Sequence, residues 1–277
     1  MTRNEFLKLN EKKFGALLVR LRRNISLPKR PEDFDGQYKS SVKSAVDDFT
    51  EDYESLMVSQ SKDAAIIQTS RLWHIGDGFL MAAITVLGAS VVKADNPAWG
   101  IPTKVAEGVL DRVLPSGWTL SERIWDLKNY SNDILQTVNN GILNNLNPEM
   151  LSKALDGFLL PGRETTTLTP YGRSLGFDAM RLARTEVVQS GRQASKEALA
   201  NTPWVTGLLF DAADGCEELC KPEQGIYTSE DELPDPHPQC NCPVIEQVMS
   251  TEEWDSALEA YNTDGTDDIG IESWLAE

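Results

Sequence analysis

Histidine and cysteine are scarce in this chain of 277 residues, which contains two histidines and four cysteines. A serine or cysteine nucleophile needs a histidine beside it, and only His237 lies near a cysteine in the sequence. The H-E-x-x-H pair of zinc proteases and the phosphate-binding P-loop are both missing. A zinc deaminase has glutamate two residues after its histidine, where this chain has Gln239. The sequence therefore predicts that the protein is not an enzyme.

Long apolar runs are also missing. The most apolar stretch, residues 75–92, has an uncharged core of 15 residues from Gly78 to Val92, whereas a membrane-spanning helix needs about 20. We therefore expect a buried helix there and no membrane anchor. The first twenty residues are charged and lack the apolar core of a secretion signal. This favours a reducing compartment for the cysteines.

Basic residues are almost absent from the last quarter of the chain. Residues 211–277 contain one lysine, Lys221, and nineteen acidic residues, a net charge of −18. Residues 1–43 contain eleven basic and five acidic residues, a net charge of +6, within a chain total of −17. The negative total argues against a protein that coats nucleic acid. The basic N-terminal segment either contacts phosphate or is the solvated face of a helix.

All four cysteines lie between residues 216 and 242, and His237 lies in the same segment. Cys216 and Cys220 form a C-x3-C pair, and Cys240 and Cys242 end an H-P-x-C-x-C run that begins at His237. Alternate side chains of an extended C-x-C segment point the same way, and the C-x3-C pair can lie one helical turn apart. These five candidate ligands suit a tetrahedral, structural zinc ion. Two disulfides, or four free reduced thiols, are the alternatives.

Hydrophobic periodicity predicts a mostly helical chain. Besides the buried helix within 75–92, helices are expected at residues 3–23, 37–60, 103–114, 119–146, 148–158, 173–200 and 254–261. Thr119 and Glu122 form a capping box at the start of one of them. Strands at 204–210 and 244–249 would form a small sheet that carries the cysteine segment. The predicted fold class is α+β, mostly helical, with a helical N-terminal half followed by a small α/β unit with a Cys/His loop.

Two stretches together resemble a known family. The first is the helix RLARTEVVQSGRQAS, from Arg181 to Ser195, and the second combines the C-x3-C pair, the Gly225-x-Tyr227 turn and H-P-x-C-x-C. They resemble the signature of the phage head morphogenesis family, the Mu F-like minor capsid proteins, over roughly residues 174–244. This chain differs in having three residues inside the first cysteine pair, where the family more often has two.

The resemblance implies a structural protein of the virion. Members of the family are minor head proteins, present in few copies at the portal or in the head interior, that act in head morphogenesis or DNA delivery during genome ejection. The implied partners are the portal protein and other head proteins, with DNA contact possible through the basic N-terminal segment. The implied location is the virion, and the host cytoplasm during assembly. The alternative is a zinc-dependent hydrolase or a protein linked to toxin-type ADP-ribosyltransferases.

Composition shifts along the chain predict a basic amphipathic helix or arm at 1–27, a helical domain at 37–160 and an acidic tail at 262–277. The resemblance implies that residues 173–261 form a Mu F-like domain with the Cys/His loop. The apolar face of the first helix could dock on the protein's own core or on a partner, and we favour a partner. The tail is expected to be mobile, either as a disordered end or as a segment that docks on a partner.

Overall fold

The computed structural model describes residues 3–28, 31–88, 91–92, 95–113, 117–144, 146–160, 175–213, 216, 219–229, 232–234 and 240–276. The α helices in this part of the chain are α1 (Arg3–Asn24), α2 (Gly36–Leu87), α3 (Ile101–Gly108), α4 (Leu120–Trp125), α5 (Tyr130–Leu143), α6 (Pro148–Leu159), α7 (Leu175–Asn201), α8 (Thr251–Asp264) and α9 (Ile271–Ala276). The strands are β1 (Val205–Phe210), β2 (Gly225–Tyr227) and β3 (Val244–Val248). The predicted α+β, mostly helical fold class is confirmed.

Helix α2 is a single helix where the sequence predicted two. Residues 61–74 contain no proline, and Ala65 and Leu72 continue the buried stripe of the helix. The helix ends at Leu87 because Gly88 adopts a left-handed conformation with φ of 90°, which glycine tolerates best. Among the described residues, no helix is long and apolar enough to cross a membrane.

The predicted helix at 119–146 is divided between α4 and α5. The predicted capping box is present, since the Glu122 amide donates to the Thr119 hydroxyl at 3.2 Å and the Glu122 carboxylate accepts from the Thr119 amide at 2.8 Å. Further along, the Asp126 carboxylate accepts hydrogen bonds from Arg123 and Asn129, and residues 126–129 form a 3₁₀ turn. This 3₁₀ turn separates α4 from α5.

The chain forms two compact units. Unit 1 comprises Met1–Gln60 and Gly108–Val187, and unit 2 comprises Ser61–Glu107 and Val188–Glu277. Helices α2 and α7 each contribute residues to both units.

The apolar face of α1 belongs to the core of unit 1. Phe14, Leu18 and Leu21 are 1–2% exposed and pack against apolar residues of α2, α5, α6 and α7. The expectation that this face docks on a partner is therefore wrong, because the protein's own core covers it. Part of the basic charge of α1 is also paired, as in the contact of 2.7 Å between Arg22 and Asp156.

Four aromatic side chains form the centre of unit 2. Phe79 and Trp204 lie with ring centroids 5.5 Å apart, and Trp254 and Trp274 complete the group at centroid distances of 5.5–5.9 Å. The indole of Trp254 donates to the carbonyl of Phe79 at 3.0 Å. Edge-on and tilted aromatic pairs at these distances add stabilisation beyond the area that they bury.

The acidic tail contributes to this core, which corrects the expectation of a mobile end. Ile271 and Trp274 of α9 are 0% and 3% exposed. The Asp267 carboxylate accepts hydrogen bonds from the amides of Ile271 and Glu272, at 2.5 and 2.9 Å, and thereby caps the helix. The sequence alone does not distinguish the two cases, because an apolar Ile/Trp pair in an acidic segment suits a partner's surface as well as the chain's own core.

We predict that Trp274→Ala lowers the free energy of unfolding of unit 2 by about 3–5 kcal/mol, because it leaves a cavity among packed rings. The measurement is urea denaturation followed by tryptophan fluorescence. Trp99→Ala is the matched control, since Trp99 also lies in unit 2 but is 51% exposed, and it should change the value by less than about 0.5 kcal/mol. Equal effects of the two substitutions would show that α9 does not stabilise the core.

Gly76 of α2 allows a close contact with Asn96. The Asn96 side chain donates to the carbonyl of Trp73 at 2.9 Å and to the carboxylate of Asp77 at 3.1 Å, and it accepts from the amide of Ala98 at 3.1 Å. A Cβ atom at residue 76 would lie 2.5 Å from Asn96 Nδ2. Asn96 cannot move aside without losing these hydrogen bonds, so the position requires glycine.

We predict opposite effects for alanine at two glycines of the same helix. Gly76→Ala should destabilise unit 2 by about 1–3 kcal/mol through overpacking. Gly78→Ala meets nothing within 4 Å and should stabilise the helix by about 0.5–1 kcal/mol, since alanine is the better helix former. The measurement is the melting temperature of each variant. Stabilisation by both substitutions would show that the contact with Asn96 does not require glycine at position 76.

Candidate metal centre

A small antiparallel sheet holds the ends of the cysteine segment together. The strand order is β2-β1-β3, and the pairing of β1 with β3 places Phe210 opposite Val244. One step beyond, the Asp211 amide donates to the Pro243 carbonyl at 3.1 Å. The two predicted strands are confirmed, and the Gly225-x-Tyr227 stretch, expected as a turn, forms the third strand. The two ends of the segment 211–243 are therefore adjacent in the structure.

The C-x3-C pair lies on one turn of chain, as the spacing suggested. The Cys216 amide donates to the Ala213 carbonyl at 3.0 Å, and the Cys220 amide donates to the Cys216 carbonyl at 2.9 Å. A hydrogen bond from residue i+4 back to residue i closes one helical turn. This brings the side chains of the two cysteines to the same side of the loop.

The structure brings all four cysteines into one cluster. Their Sγ atoms lie within 4.8 Å of one another, and those of Cys220 and Cys240 are 3.9 Å apart. Sulfurs around a tetrahedral ion with metal–sulfur bonds of about 2.3 Å stand about 3.8 Å apart. Cys220, Cys240 and Cys242 are buried, Cys216 is partly exposed, and none of the four forms a disulfide. The four cysteines can therefore hold a metal ion.

His237, the fifth ligand that the sequence proposed, lies outside the described residues. The four sulfurs already supply as many ligands as a tetrahedral ion takes. The sequence left the choice between His237 and Cys242 open for the fourth position, and Cys242 lies within the cluster. A four-sulfur set is therefore complete without the histidine.

The electrostatics of the cluster suit a cation. Burial raises the pKa of the Cys220 thiol well above its usual range, and the neighbouring Cys242 and Cys240 raise it further. Thiolates packed together in a buried place repel one another, and a bound dication removes that penalty and favours the deprotonated form.

Arg192 of α7 also contacts the cluster, although the sequence analysis gave it no role there. Its guanidinium donates to Cys240 Sγ at 3.1 Å and to the Pro234 carbonyl at 2.9 Å. It also lies 4.9 Å from the centroid of the Phe210 ring. The available signal was its position on a stripe with Val188 and Ser195, both buried, since a charged residue on a buried stripe needs a specific partner.

A buried carboxylate anchors the strand that follows the C-x-C pair. Glu246 of β3 is 5% exposed, and its Oε1 accepts hydrogen bonds from the Ser195 hydroxyl at 2.7 Å and from the Gln68 amide at 2.9 Å. Gln68 also donates to the Val244 carbonyl at 2.7 Å. These bonds attach β3 to both α2 and α7. The sequence pattern of β3 does not predict this network, because nothing in it shows that Glu246 faces inward.

The charged residues of the R-T-E stretch pair within unit 1. Glu186 pairs with Arg112, and Arg184 lies 3.4 Å from Glu11. All four residues belong to unit 1, and the arginine of α7 that contacts the cysteines, Arg192, lies eight positions beyond Arg184.

We predict that the reduced, purified protein binds one divalent ion per chain at the four cysteines. Cys220→Ser and Cys240→Ser should each abolish stoichiometric binding, because three ligands do not complete the set. His237→Ala should retain it, because the four sulfurs are unchanged. Elemental analysis combined with thiol titration, before and after chelation, provides the measurement.

Two results would contradict a metal centre. One is four freely reactive thiols in a metal-free protein purified without chelator. The other is a mass lower by four hydrogens, which would indicate two disulfides. Loss of metal in His237→Ala with retention in Cys242→Ser would instead show that the histidine takes the fourth position.

Comparison with protein-family models, with curated proteins and with solved structures finds no match to this chain.

Proposed function

We propose that the cysteine cluster holds a zinc ion with a structural role. The observation that carries this is a set of four sulfurs within 4.8 Å of one another, three of them from buried cysteines. A tetrahedral set of four thiolates is typical of zinc or of iron–sulfur centres. Zinc bound in this way would connect the C-x3-C turn to the strand that begins after Cys242, and so hold together the two ends of the cysteine segment.

A set of four cysteines supports a structural role over a catalytic one. Catalytic zinc has three protein ligands and an open position for water or substrate, whereas structural zinc has four protein ligands. The hydrolase alternative needs both an open position and a general base aimed at it. Four sulfur ligands leave no open position on a tetrahedral ion, so the geometry supports the structural reading.

We further propose that the protein is a minor head protein of a bacteriophage, associated with the portal or the head interior. Its support is the resemblance of two separate stretches to the Mu F-like family, joined by an observed contact. Arg192 and Ser195, from the helix that carries the first stretch, bond to Cys240 and to Glu246 in and beside the second. The two stretches that carry the resemblance therefore contact each other.

The charge distribution is compatible with a place beside other head proteins. Residues 211–277 carry a net charge of −18, which repels the phosphates of packaged DNA. We therefore propose protein partners for unit 2, the portal protein first among them. The basic residues of α1 are the candidates for contact with DNA, except those such as Arg22 that are paired with acidic side chains.

We predict that the tagged protein, produced together with the portal and major capsid proteins of the phage genome that encodes it, co-purifies with the portal. Purified heads should contain it in far fewer copies than the major capsid protein, as measured by quantitative mass spectrometry. Trp99→Ala, which alters an exposed side chain of unit 2, is the control for effects of expression and purification. A protein that is absent from purified heads and binds neither head protein would refute the proposal.

A further inference from the structure

Arg192 of α7 is a buried charged residue in direct contact with the cluster. It is 3% exposed, although a guanidinium stays charged in a protein. One end of its planar group donates to Cys240 Sγ at 3.1 Å and the other to the Pro234 carbonyl at 2.9 Å. The ring of Phe210 covers it, with the guanidinium carbon 4.9 Å from the ring centroid. These three contacts fix the guanidinium in one orientation.

We propose that Arg192 is a positioning residue of the metal centre, which holds the sulfur of Cys240 and offsets part of the charge of the thiolate set. This inference rests on the proposed zinc. Four thiolates around one Zn²⁺ carry a net charge of about −2, which is costly to bury. A buried guanidinium in contact with one sulfur lowers that cost, and a charge-assisted hydrogen bond is stronger than a neutral one.

The four sulfurs differ in their surroundings. Within the C-x-C pair, Cys240 accepts from Arg192, and Cys242 accepts from the Ala213 amide at 3.3 Å. Cys220, Cys240 and Cys242 are buried, whereas Cys216 is partly exposed. Cys216 is therefore the ligand that solvent and thiol reagents reach first.

The same contacts connect the centre to the helix that carries it. Pro234 precedes the segment that leads to Cys240, and Phe210 ends the strand that leads to Cys216. Through these contacts Arg192 attaches to α7 both the segment before Cys216 and the segment before Cys240. Lysine cannot reproduce this arrangement, because a single ammonium group lacks the planar fork that reaches two acceptors at fixed directions.

The test measures the thiolate–metal bond itself. Co²⁺ replaces zinc in the unmodified protein and in Arg192→Met and Arg192→Lys, and the sulfur-to-cobalt charge-transfer band is recorded. Removal of a hydrogen bond from sulfur raises the energy of its donor orbitals, so the band should move to longer wavelength in Arg192→Met, and by a smaller amount in Arg192→Lys. Competition with a chromophoric chelator should show zinc affinity lower by about 10–100-fold in Arg192→Met.

Two controls separate this role from a general loss of stability. Lys196→Met removes a positive charge from the same helix, and Ser195→Ala removes the buried hydrogen bond to Glu246. Both should leave the band in place, although Ser195→Ala should lower the melting temperature. Should Arg192→Met fail to fold, Arg192→Lys supplies the band shift and the affinity.

The outcomes are distinct. A shifted band with weaker zinc binding in the Arg192 variants alone supports the proposal. An unshifted band with unchanged zinc affinity, whatever the melting temperature, overturns it and leaves the zinc proposal intact. Failure of the unmodified protein to take up Co²⁺ or zinc overturns both, and the association with the portal is tested separately.

Discussion

The pairing of β1 with β3 is the interaction on which the cysteine cluster depends. It pairs the strand before residues 211–243 with the strand after them. Cys242 therefore lies next to the start of the loop that carries Cys216 and Cys220. Closing a loop of this length costs conformational entropy, so the closed loop needs stabilising contacts. The sheet, the buried cluster of apolar and cysteine side chains beneath it, and the contacts of Arg192 supply that stabilisation together.

Buried polar groups decide where this sheet lies within unit 2. Glu246 would be unfavourable on the inner face of β3 if it were alone, because burying a carboxylate without partners is costly. Its bonds to Ser195 and Gln68 satisfy it and at the same time connect the strand to α7 and α2. An apolar residue at this position could pack in several ways, whereas the carboxylate accepts hydrogen bonds in a specific arrangement. Polar contacts therefore set the position, and the aromatic core around Trp254 supplies most of the burial.

The sequence predicts local features of this fold better than it predicts whether an apolar surface packs against the protein's own core or against a partner. The capping box at Thr119, the two longer strands and the gathering of the cysteines follow from short-range patterns. The continuity of α2 and the 3₁₀ turn at residues 126–129 were not predicted, because hydrophobic periodicity locates helical stretches but does not show whether neighbouring stretches join. The apolar face of α1 was assigned to a partner, and α9 to a mobile tail that is either disordered or docked on a partner. An amphipathic stripe has the same appearance whether its own core or another protein covers it. The contact of Arg192 with Cys240 spans 48 positions of sequence, and no local pattern encodes it.

The aromatic core of unit 2 has a consequence for how the chain is made. Phe79 and Trp254, which share a hydrogen bond and a ring contact, are 175 positions apart, and Trp274 lies further still. At roughly 5–20 residues per second on the ribosome, about 10–40 s pass between the synthesis of Phe79 and that of Trp274. The apolar face of α2 from Ala65 to Ala83 has no complete cover during that interval. Unit 1 lacks α7 until residue 187 is made, so neither core closes early. These apolar faces of the nascent chain therefore stay exposed until the segment that ends with Trp274 has been made.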